Sequence, residues 1–479
     1  MDERHKWQRV LEYAADRGRI RIDSRRTGKG DIFVALPGTH VHGIKFVPQV
    51  LDSGAAFAVV SAGDRVRVED RRIVRVPDSR EALGELARAA YQTAKLDMQI
   101  IGITGTNGKT SCTYLLEHLL FSCGYQTGVI GTVEYRWPGV RRTAGMTTPD
   151  CLQTHALLRE MADCGVKAVC MEVSSHALEQ NRLAGVDFDA AVFTNLTREH
   201  LDYHSDMDSY FQAKKKLFFP ARGKRPAAVV NSDDLFGREL AAEIGSALTY
   251  GLQGQFEPAL KGEIIRTGPG GLELRCFYQD RSWEIKSPLV GEYNASNLLA
   301  AAGIGLKLGL APEDFRALEK FPGIPGRLQK VPNDRGKNMF VDYAHTPDAL
   351  ENCCRALRGA DFTALVVVFG CGGNRDRQKR PLMGGIACRY ADTVVVTSDN
   401  PRDEDPEDII QEILAGTGEC TQVFVQPDRR QAIRLGLEKC PAGGALLVAG
   451  KGHETYQEVR GERREFDDAK VLAEVGNEI

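Results

Sequence analysis

Residues 101–111 read IGITGTNGKTS, and this stretch decides the fold. The MQIIGIT run that leads into it is apolar and β-branched and predicts a buried strand; the SCTYLLEHLLFSCG run that leaves it has apolar residues at helical spacing and ends on Gly124. Strand, glycine turn, Lys-Thr and helix describe a phosphate-binding loop. Main-chain N–H groups around Gly105, Thr106, Asn107 and Gly108 are placed to wrap phosphate oxygens. Lys109 adds a fixed positive charge, the Thr110 hydroxyl suits Mg²⁺, and Ser111 opens the helix behind it. The pattern departs from a strict Walker A, because Ile103 stands where that motif has its first glycine and Gly105 falls inside the loop instead.

Outward from this loop the chain reads as α/β throughout. Its 479 residues suggest about three domains, and 42 % hydrophobic with 27 % charged residues leaves enough apolar material for a core in each. Residues 1–98 hold short strands in GRIRIDSRR, GDIFVALPG, AFAVVSAG and RRIVRVPD, then a helical SREALGELARAAYQTA, and predict a small α/β domain. Residues 99–328 continue from the phosphate loop through VKAVCMEVS, DAAVFTNLT and PAAVVNSDD, interleaved with helices, which predicts a mostly parallel sheet. The GPGGLELRCFYQDRSWEIKSPLVG segment reads as antiparallel edge structure, and FPGIPGRLQ as a boundary. Residues 329–479 give NMFVDYA, FTALVVVFG, DTVVVTSD, QVFVQPD and GALLVAGKG with helices between, a second doubly wound, Rossmann-like domain.

A net charge of −3 speaks against a nucleic-acid protein held by bulk electrostatics. MDERHKWQRV has no apolar core of a signal peptide, and no apolar run reaches the length that spans a bilayer. The twelve cysteines show no C-x-x-C pair and no metal-ligand spacing; they read as reduced, core-filling thiols of a cytoplasmic protein.

Polar groups gather after the predicted strands. Glu172 ends one and His200 follows the next, and with Thr110 they make an expected Mg²⁺ set at a nucleotide's terminal phosphates. YFQAKKKLFF (210–219) reads either as a basic helix face in water or as a source of a phosphate-positioning lysine. In the third block FGCGGNRDRQKRPL, TSDNPRDEDP and VAGKGHETYQ each follow a buried strand, and three such loops at neighbouring strand ends build one cleft. Arg375 and Arg402 suit carboxylates, because guanidinium binds them bidentately. Asp399, Asn400 and Glu454 suit an ammonium, so the cleft fits a zwitterionic amino acid, and Pro401 and Pro406 stiffen its loop.

Taken together these motifs resemble the Mur ligase family, ATP-dependent amide-bond synthetases of peptidoglycan precursor assembly, over nearly the whole chain. The resemblance implies that the DSR and GDIFVALPG segments, with Ser24, bind the uridine nucleotide. It implies that Thr147 and Thr148 of TTPD, with Ser174, Gln180 and Arg182, contact the muramoyl dipeptide. Glu172 and His200 fall at the family's Mg²⁺ ligands, and Lys214 falls where members carry a carbamoylated lysine, whose anion serves the metal site. Asn294, Arg327 and Asp342 fall at ATP contacts and His345 near them, with His345 a candidate proton acceptor. Arg375, the run Asp399-Asn400-Pro401-Arg402, Gly450 and Glu454 fall at the amino-acid site. The implied reaction takes ATP, Mg²⁺, a UDP-N-acetylmuramoyl dipeptide and an amino acid, with no nucleic acid, no membrane insertion and a monomeric enzyme. DNPR, ending in Arg402, is the form that goes with meso-diaminopimelate, whose distal carboxylate a guanidinium suits. The competing expectations are a lysine-adding ligase of the same family, a folylpolyglutamate-synthase-like ligase, and an ATP-binding regulatory protein that ligates nothing. Met146 departs from relatives with asparagine before TTP.

Overall fold

The computed structural model describes residues 3–38, 41–200, 203–253, 256–418 and 422–478. The chain divides into two compact units, residues 1–249 with 303–309, and residues 250–302 with 310–479.

The first unit begins with a helix, Glu3–Arg17, that the sequence reading did not pick out. Four parallel strands follow, β1 Ile20–Arg21, β2 Ile32–Val34, β3 Phe57–Ser61 and β4 Ile73–Val76, in sheet order 1-2-3-4. Helix Ser79–Ala90 starts at Asp78, whose carboxylate accepts from the N–H groups of Arg80 and Glu81. Its buried Ala82, Leu83, Leu86 and Ala87 pack with Val34, Val59 and Val74 of the sheet.

The larger sheet of this unit is built from β5 Gln99–Thr104, β6 Thr127–Ile130, β7 Glu134–Trp137, β8 Val140–Thr143, β9 Ala168–Glu172, β10 Ala190–Phe193, β11 Ala227–Asn231 and β12 Leu248–Gly251. The order β11-β10-β5-β9-β6 is parallel, and β7 and β8 continue it as an antiparallel edge. The expected strands all form; the β7–β8 hairpin is an addition. β5 lies between β10 and β9, so the segments after all three leave the sheet at one edge. The parallel strands β5, β6, β9, β10 and β11 are buried on both faces, as near-continuous apolar runs require.

In the second unit β13 Leu260–Gly268, β14 Gly271–Tyr278 and β15 Arg281–Ser287 form the expected antiparallel meander. A six-stranded sheet follows, from β16 Gln329–Lys330, β17 Asn338–Asp342, β18 Leu365–Phe369, β19 Thr393–Val396, β20 Val423–Val425 and β21 Ala445–Ala449, ordered 16-17-21-18-19-20. All its pairs are parallel except β16–β17. Helices cover both faces, giving the doubly wound domain. A hairpin of β22 Tyr456–Val459 and β23 Glu462–Glu465, absent from the sequence reading, precedes the last helix, Asp468–Glu478.

Among the described residues every cysteine is a free thiol and most are buried; Cys420 lies outside them. No helix among the described residues is long and apolar enough to cross a membrane.

Candidate active site

The turn after β5 is a glycine structure. Gly105 has φ +148° and Gly108 φ +87°, and a Cβ on Gly105 would overlap the Thr194 hydroxyl. Gly108 is the N-cap of helix Lys109–Ser122. The helix N-terminus and the turn thus face one point, an anion site by geometry alone. Lys109 folds back so that Nζ donates to the carbonyls of Gly105 (2.8 Å) and Thr106 (2.7 Å). The loop is braced from β10: Asn107 N donates to Asn195 Oδ1 at 2.9 Å, and the Thr194 hydroxyl donates to the Asn107 carbonyl at 2.6 Å.

Glu172 closes β9 beside this loop and is fully buried. Its carboxylate accepts from the Thr110 hydroxyl (3.0 Å), the Thr132 hydroxyl (2.9 Å) and Thr132 N (2.9 Å). Gly131 leaves the space that Oε1 needs, since a Cβ there would collide with it. Hydroxyl and carboxylate oxygens at the head of a phosphate loop are the hard donors that Mg²⁺ prefers, so these residues fit the ion. His200 has φ +58° and packs edge-on against Tyr210, with ring centroids 6.0 Å apart, and against His176 at 5.0 Å. Of the expected metal set, Thr110 and Glu172 are therefore in direct contact, and His200 joins the loop through Tyr210, whose hydroxyl lies 3.3 Å from Thr106 Oγ1. Among the described residues no three His, Cys, Asp or Glu side chains stand close enough to hold a metal alone.

Lys214 is not on a solvated face. Helix Met207–Lys215 turns it inward to 1 % exposure, where Nζ donates to the Gly105 carbonyl at 2.8 Å and lies 4.4 Å from the centre of the Tyr210 ring. Burial, reinforced by the Lys109 charge, pulls its pKa well below that of an ordinary lysine. The aqueous reading of YFQAKKKLFF fails at this position because tertiary burial overrides the charge pattern.

The residues expected to contact the dipeptide form one hydrogen-bonded set. Thr147 Oγ1 lies 3.0 Å from Thr132 Oγ1; Thr148 Oγ1 donates to the Glu172 carbonyl at 2.8 Å and accepts from Ser174 N at 3.0 Å. Arg182 donates to Gln180 Oε1 (3.0 and 2.8 Å) and to the Thr148 carbonyl (3.1 Å). Met146, the departing position, touches Arg182 through sulfur at 3.2 Å. Sequence reasoning missed Arg80, whose guanidinium ties the Gln180 carbonyl (2.8 Å) to that of Pro37 (2.6 Å). Ser24 sits in a one-turn 3-10 segment, Ser24–Arg26, and among the described residues these hydrogen bonds do not reach it.

In the second unit Asp342 ends β17, nearly buried, accepting from Leu328 N (2.6 Å) and Ala344 N (2.8 Å). Burial raises its pKa, against the lowering effect of Arg327. Arg327 lies over the Tyr343 ring at 5.4 Å. His345 Nδ1 is 2.8 Å from the Tyr343 carbonyl, which can only accept, so Nδ1 carries the proton and Nε2 is the basic nitrogen. Asn294, in helix Glu292–Lys307, donates to the carbonyl of Val290 just before the helix (2.8 Å) and accepts from Asn297 one turn on (3.0 Å).

The three strand-end loops after β18, β19 and β21 do meet. Gly373 N donates to the Asn400 carbonyl at 2.9 Å, and Arg402 Nη1 donates to the Gly373 carbonyl at 2.7 Å. Arg402 has φ +51°, held by main-chain bonds to Glu458 and Arg460 of the hairpin. Arg375 is exposed on the neighbouring loop. Gly450 has φ +118°, and a Cβ there would overlap Asp399 Oδ2. Asn400 Nδ2 donates to Glu454 Oε2 at 2.9 Å. Two buried cations here escaped the sequence reading. Arg429 pairs with Asp468 at 2.8 and 2.6 Å and also donates to the carbonyls of Ser398 and Ala449; Lys451 donates to Asn400 Oδ1 at 2.9 Å. Cys371, beside the same loop, is packed against Met383, and burial pushes its thiol up to about 12.

Three family models match in succession: "Mur ligase family, catalytic domain" over residues 18–91, "Mur ligase middle domain" over 103–305 and "Mur ligase, glutamate ligase domain" over 326–452. The chain is similar to a protein of Lawsonia intracellularis named UDP-N-acetylmuramoyl-L-alanyl-D-glutamate--2,6-diaminopimelate ligase, 48 % identical over 459 residues and 95 % of each chain. A protein of the same name from Aquifex aeolicus is 40 % identical over 457 residues, 95 % of this chain and 93 % of that one. A solved structure bearing that ligase name superimposes with a TM-score of 0.73 at 34 % identity, covering 95 % of this chain and 94 % of the other. Mycobacterium tuberculosis folylpolyglutamate synthase shares the fold alone, with a TM-score of 0.62 at 20 % identity over 77 % of this chain and 91 % of that one. On this likeness, which runs the length of the chain, the protein belongs to the Mur ligase family.

Proposed function

We propose that this chain is the ATP-dependent ligase that joins meso-diaminopimelate to UDP-N-acetylmuramoyl-L-alanyl-D-glutamate in peptidoglycan precursor synthesis. The observation that carries the reading is the near-full-length likeness to 2,6-diaminopimelate ligases. Arg402 supplies the chemical reason for the amino acid: Nη1 donates to the Gly373 carbonyl, and among the described residues the Nε–Nη2 edge has no acceptor, which leaves its donors for a carboxylate. Lysine lacks that distal carboxylate.

The chemistry needs no protein nucleophile. A γ-carboxylate oxygen of the D-glutamyl residue attacks the γ-phosphorus of ATP, ADP leaves, and an acyl phosphate forms. The neutral amine of the amino acid then attacks the carbonyl carbon, loses a proton, and the tetrahedral adduct expels phosphate. The N–H groups of the Gly105–Gly108 turn and Lys109 hold the phosphates in line. Thr110 and Glu172, with His200, would hold Mg²⁺, which neutralises phosphoryl charge when bound. Lys214 has the properties that carbamate formation asks for. A buried, proton-poor amine adds to CO₂, and the resulting anion gains from Lys109 nearby. Thr147, Thr148, Ser174, Gln180 and Arg182 take the dipeptide, Ser24 the uridine nucleotide, and Asn294, Arg327 and Asp342 the ATP. Arg375 and Arg402 take carboxylates, and Asp399, Asn400, Gly450 and Glu454 the ammonium end. His345 Nε2 is positioned chemically, as a lone-pair nitrogen, to take the amine proton.

We assign residues 1–98 to the UDP-substrate, 99–328 to ATP and 329–479 to the amino acid; the three family matches support that division. We further propose that the enzyme acts as a monomer in the cytoplasm.

The test is ATP-dependent phosphate release with the UDP-muramoyl dipeptide, comparing meso-diaminopimelate with L-lysine, in wild type and Arg402→Ala. We expect a preference for meso-diaminopimelate that shrinks about 10- to 100-fold in the variant. Turnover with lysine would move the chain to the lysine-adding branch. ATP binding without turnover of either amine would leave a non-ligating protein.

A further inference from the structure

We propose that Lys451 is a positioning residue of the amino-acid site, one that orients the Asn400 amide and the Glu454 carboxylate and balances part of the negative charge gathered for the substrate's ammonium. This inference rests on the ligase reading above.

Lys451 is fully buried two residues beyond β21, between Gly450 and Gly452, whose φ angles of +118° and +55° turn the main chain around it. Its Nζ reaches three groups, two on the loop after β19 and one on its own loop: Asn400 Oδ1 at 2.9 Å, Asp399 Oδ1 at 3.8 Å and Glu454 Oε2 at 3.7 Å. These are the residues that the strand-end pattern assigns to a substrate ammonium. The protein's own ammonium stands among them.

Two consequences follow from the geometry. Asn400 Oδ1 accepts from both Lys451 Nζ and Glu458 N, each at 2.9 Å, so the amide has one orientation and Nδ2 is left to hold Glu454 Oε2. The charges also sum informatively. Asp399 and Glu454 bring two negative charges, and Lys451 offsets one, leaving about one for an incoming ammonium. Burial and the nearby Arg429 charge lower the Lys451 pKa, while Asp399, Glu454 and Asp468 act to keep it protonated. Arg429, tied to Asp468, fixes the chain just before Asp399 and just before Gly450 through the carbonyls of Ser398 and Ala449. Lys451 therefore projects from main chain that Arg429 ties down on either side of the strand ends.

A residue that only supports the fold would, when replaced, weaken every substrate together. A positioning residue of this site affects one. The experiment measures KM and kcat for meso-diaminopimelate, ATP and the UDP-dipeptide in wild type, Lys451→Met and Lys451→Gln. It adds a partial reaction in which hydroxylamine replaces the amino acid and traps the acyl phosphate as a hydroxamate. We expect the methionine variant to raise KM for meso-diaminopimelate about 10- to 100-fold, the cost of one charge-assisted hydrogen bond, and the glutamine variant to raise it less. Hydroxamate formation and the other two KM values stay within about threefold of wild type. An unchanged KM for meso-diaminopimelate, or equal losses for all three substrates and for hydroxamate, would overturn the proposal. If the methionine variant does not fold, the same criteria apply to the glutamine variant, which keeps a donor to Asn400. Failure of the wild type to form either product would instead refute the ligase reading.

Discussion

Gly450→Ala isolates the contribution of one close approach to the amino-acid site. At φ +118° an alanine is strained, which costs about 1–3 kcal/mol. Its Cβ would also lie well inside van der Waals contact of Asp399 Oδ2, so the carboxylate must retreat by about 1 Å. Asp399 has little room to do so, being 6 % exposed and flanked by Lys451. Overpacking of this kind adds about 1–3 kcal/mol, for a total loss of about 2–6 kcal/mol in the second unit. A displacement of about 1 Å at a positioning group costs about 100-fold in rate. The expected outcome is a fall of about 100-fold in kcat/KM for meso-diaminopimelate, with KM for ATP little changed. Gly336→Ala is the matched control: its φ is +67°, but nothing lies within 4 Å of the added Cβ. It should cost stability without altering the kinetics. Steady-state phosphate release and denaturant unfolding of both variants decide the matter. Gly450→Ala with kcat/KM within about threefold of wild type would refute the steric argument, and a Gly336→Ala enzyme equally impaired would show that backbone strain alone suffices.

Further expectations concern charge. Because the folded Lys214 pKa lies well below its unfolded value, the unfolded chain binds the extra proton between the two, and stability rises with pH across that window. The slope is about 1.4 kcal/mol per pH unit. Denaturant midpoints in CO₂-free buffer should show this rise in wild type and lack it in Lys214→Met, and ¹³C-bicarbonate should give a carbamate resonance that the variant loses. Glu172→Gln removes the buried charge while keeping an acceptor for Thr110, and should raise the Mg²⁺ concentration for half-maximal phosphate release at least about tenfold. Asp468→Asn leaves the buried Arg429 guanidinium without its countercharge and should destabilise the second unit by about 3–5 kcal/mol, read as an earlier unfolding transition.

What could be read from the chain follows from the range of the interactions involved. The parallel strands were legible because each is a short apolar run buried on both faces, as in LVVVF of β18 and ALLVA of β21. The phosphate loop was legible because its chemistry is local: Gly105, Gly108, Lys109 and Thr110 lie within six residues. The hairpin of β22 and β23 was not legible. Its EVRGERRE sequence is polar on both faces, and its reason for existing is tertiary, to hold Arg402 by the main chain. Helix Glu3–Arg17 has seven charged residues in fifteen, so its apolar stripe is short and easily passed over.

The buried cations show the deeper limit. Lys214, Lys451 and Arg429 are residue types that are solvated elsewhere in this chain, as Lys216 shows two positions from Lys214. Nothing in a run of three lysines says which one turns inward. That is fixed by Gly105 presenting its carbonyl at 2.8 Å from across the sheet edge. Burying such a cation is unfavourable unless the surroundings supply acceptors or remove the proton. The protein uses both solutions: Lys451 is given Asn400 and two carboxylates, whereas Lys214 is given a carbonyl, an aromatic face and a repelling lysine. The first environment keeps a charge in place and the second favours a neutral amine. Two lysines of the same chain thereby meet different electrostatic surroundings, and only the folded arrangement of their neighbours distinguishes them.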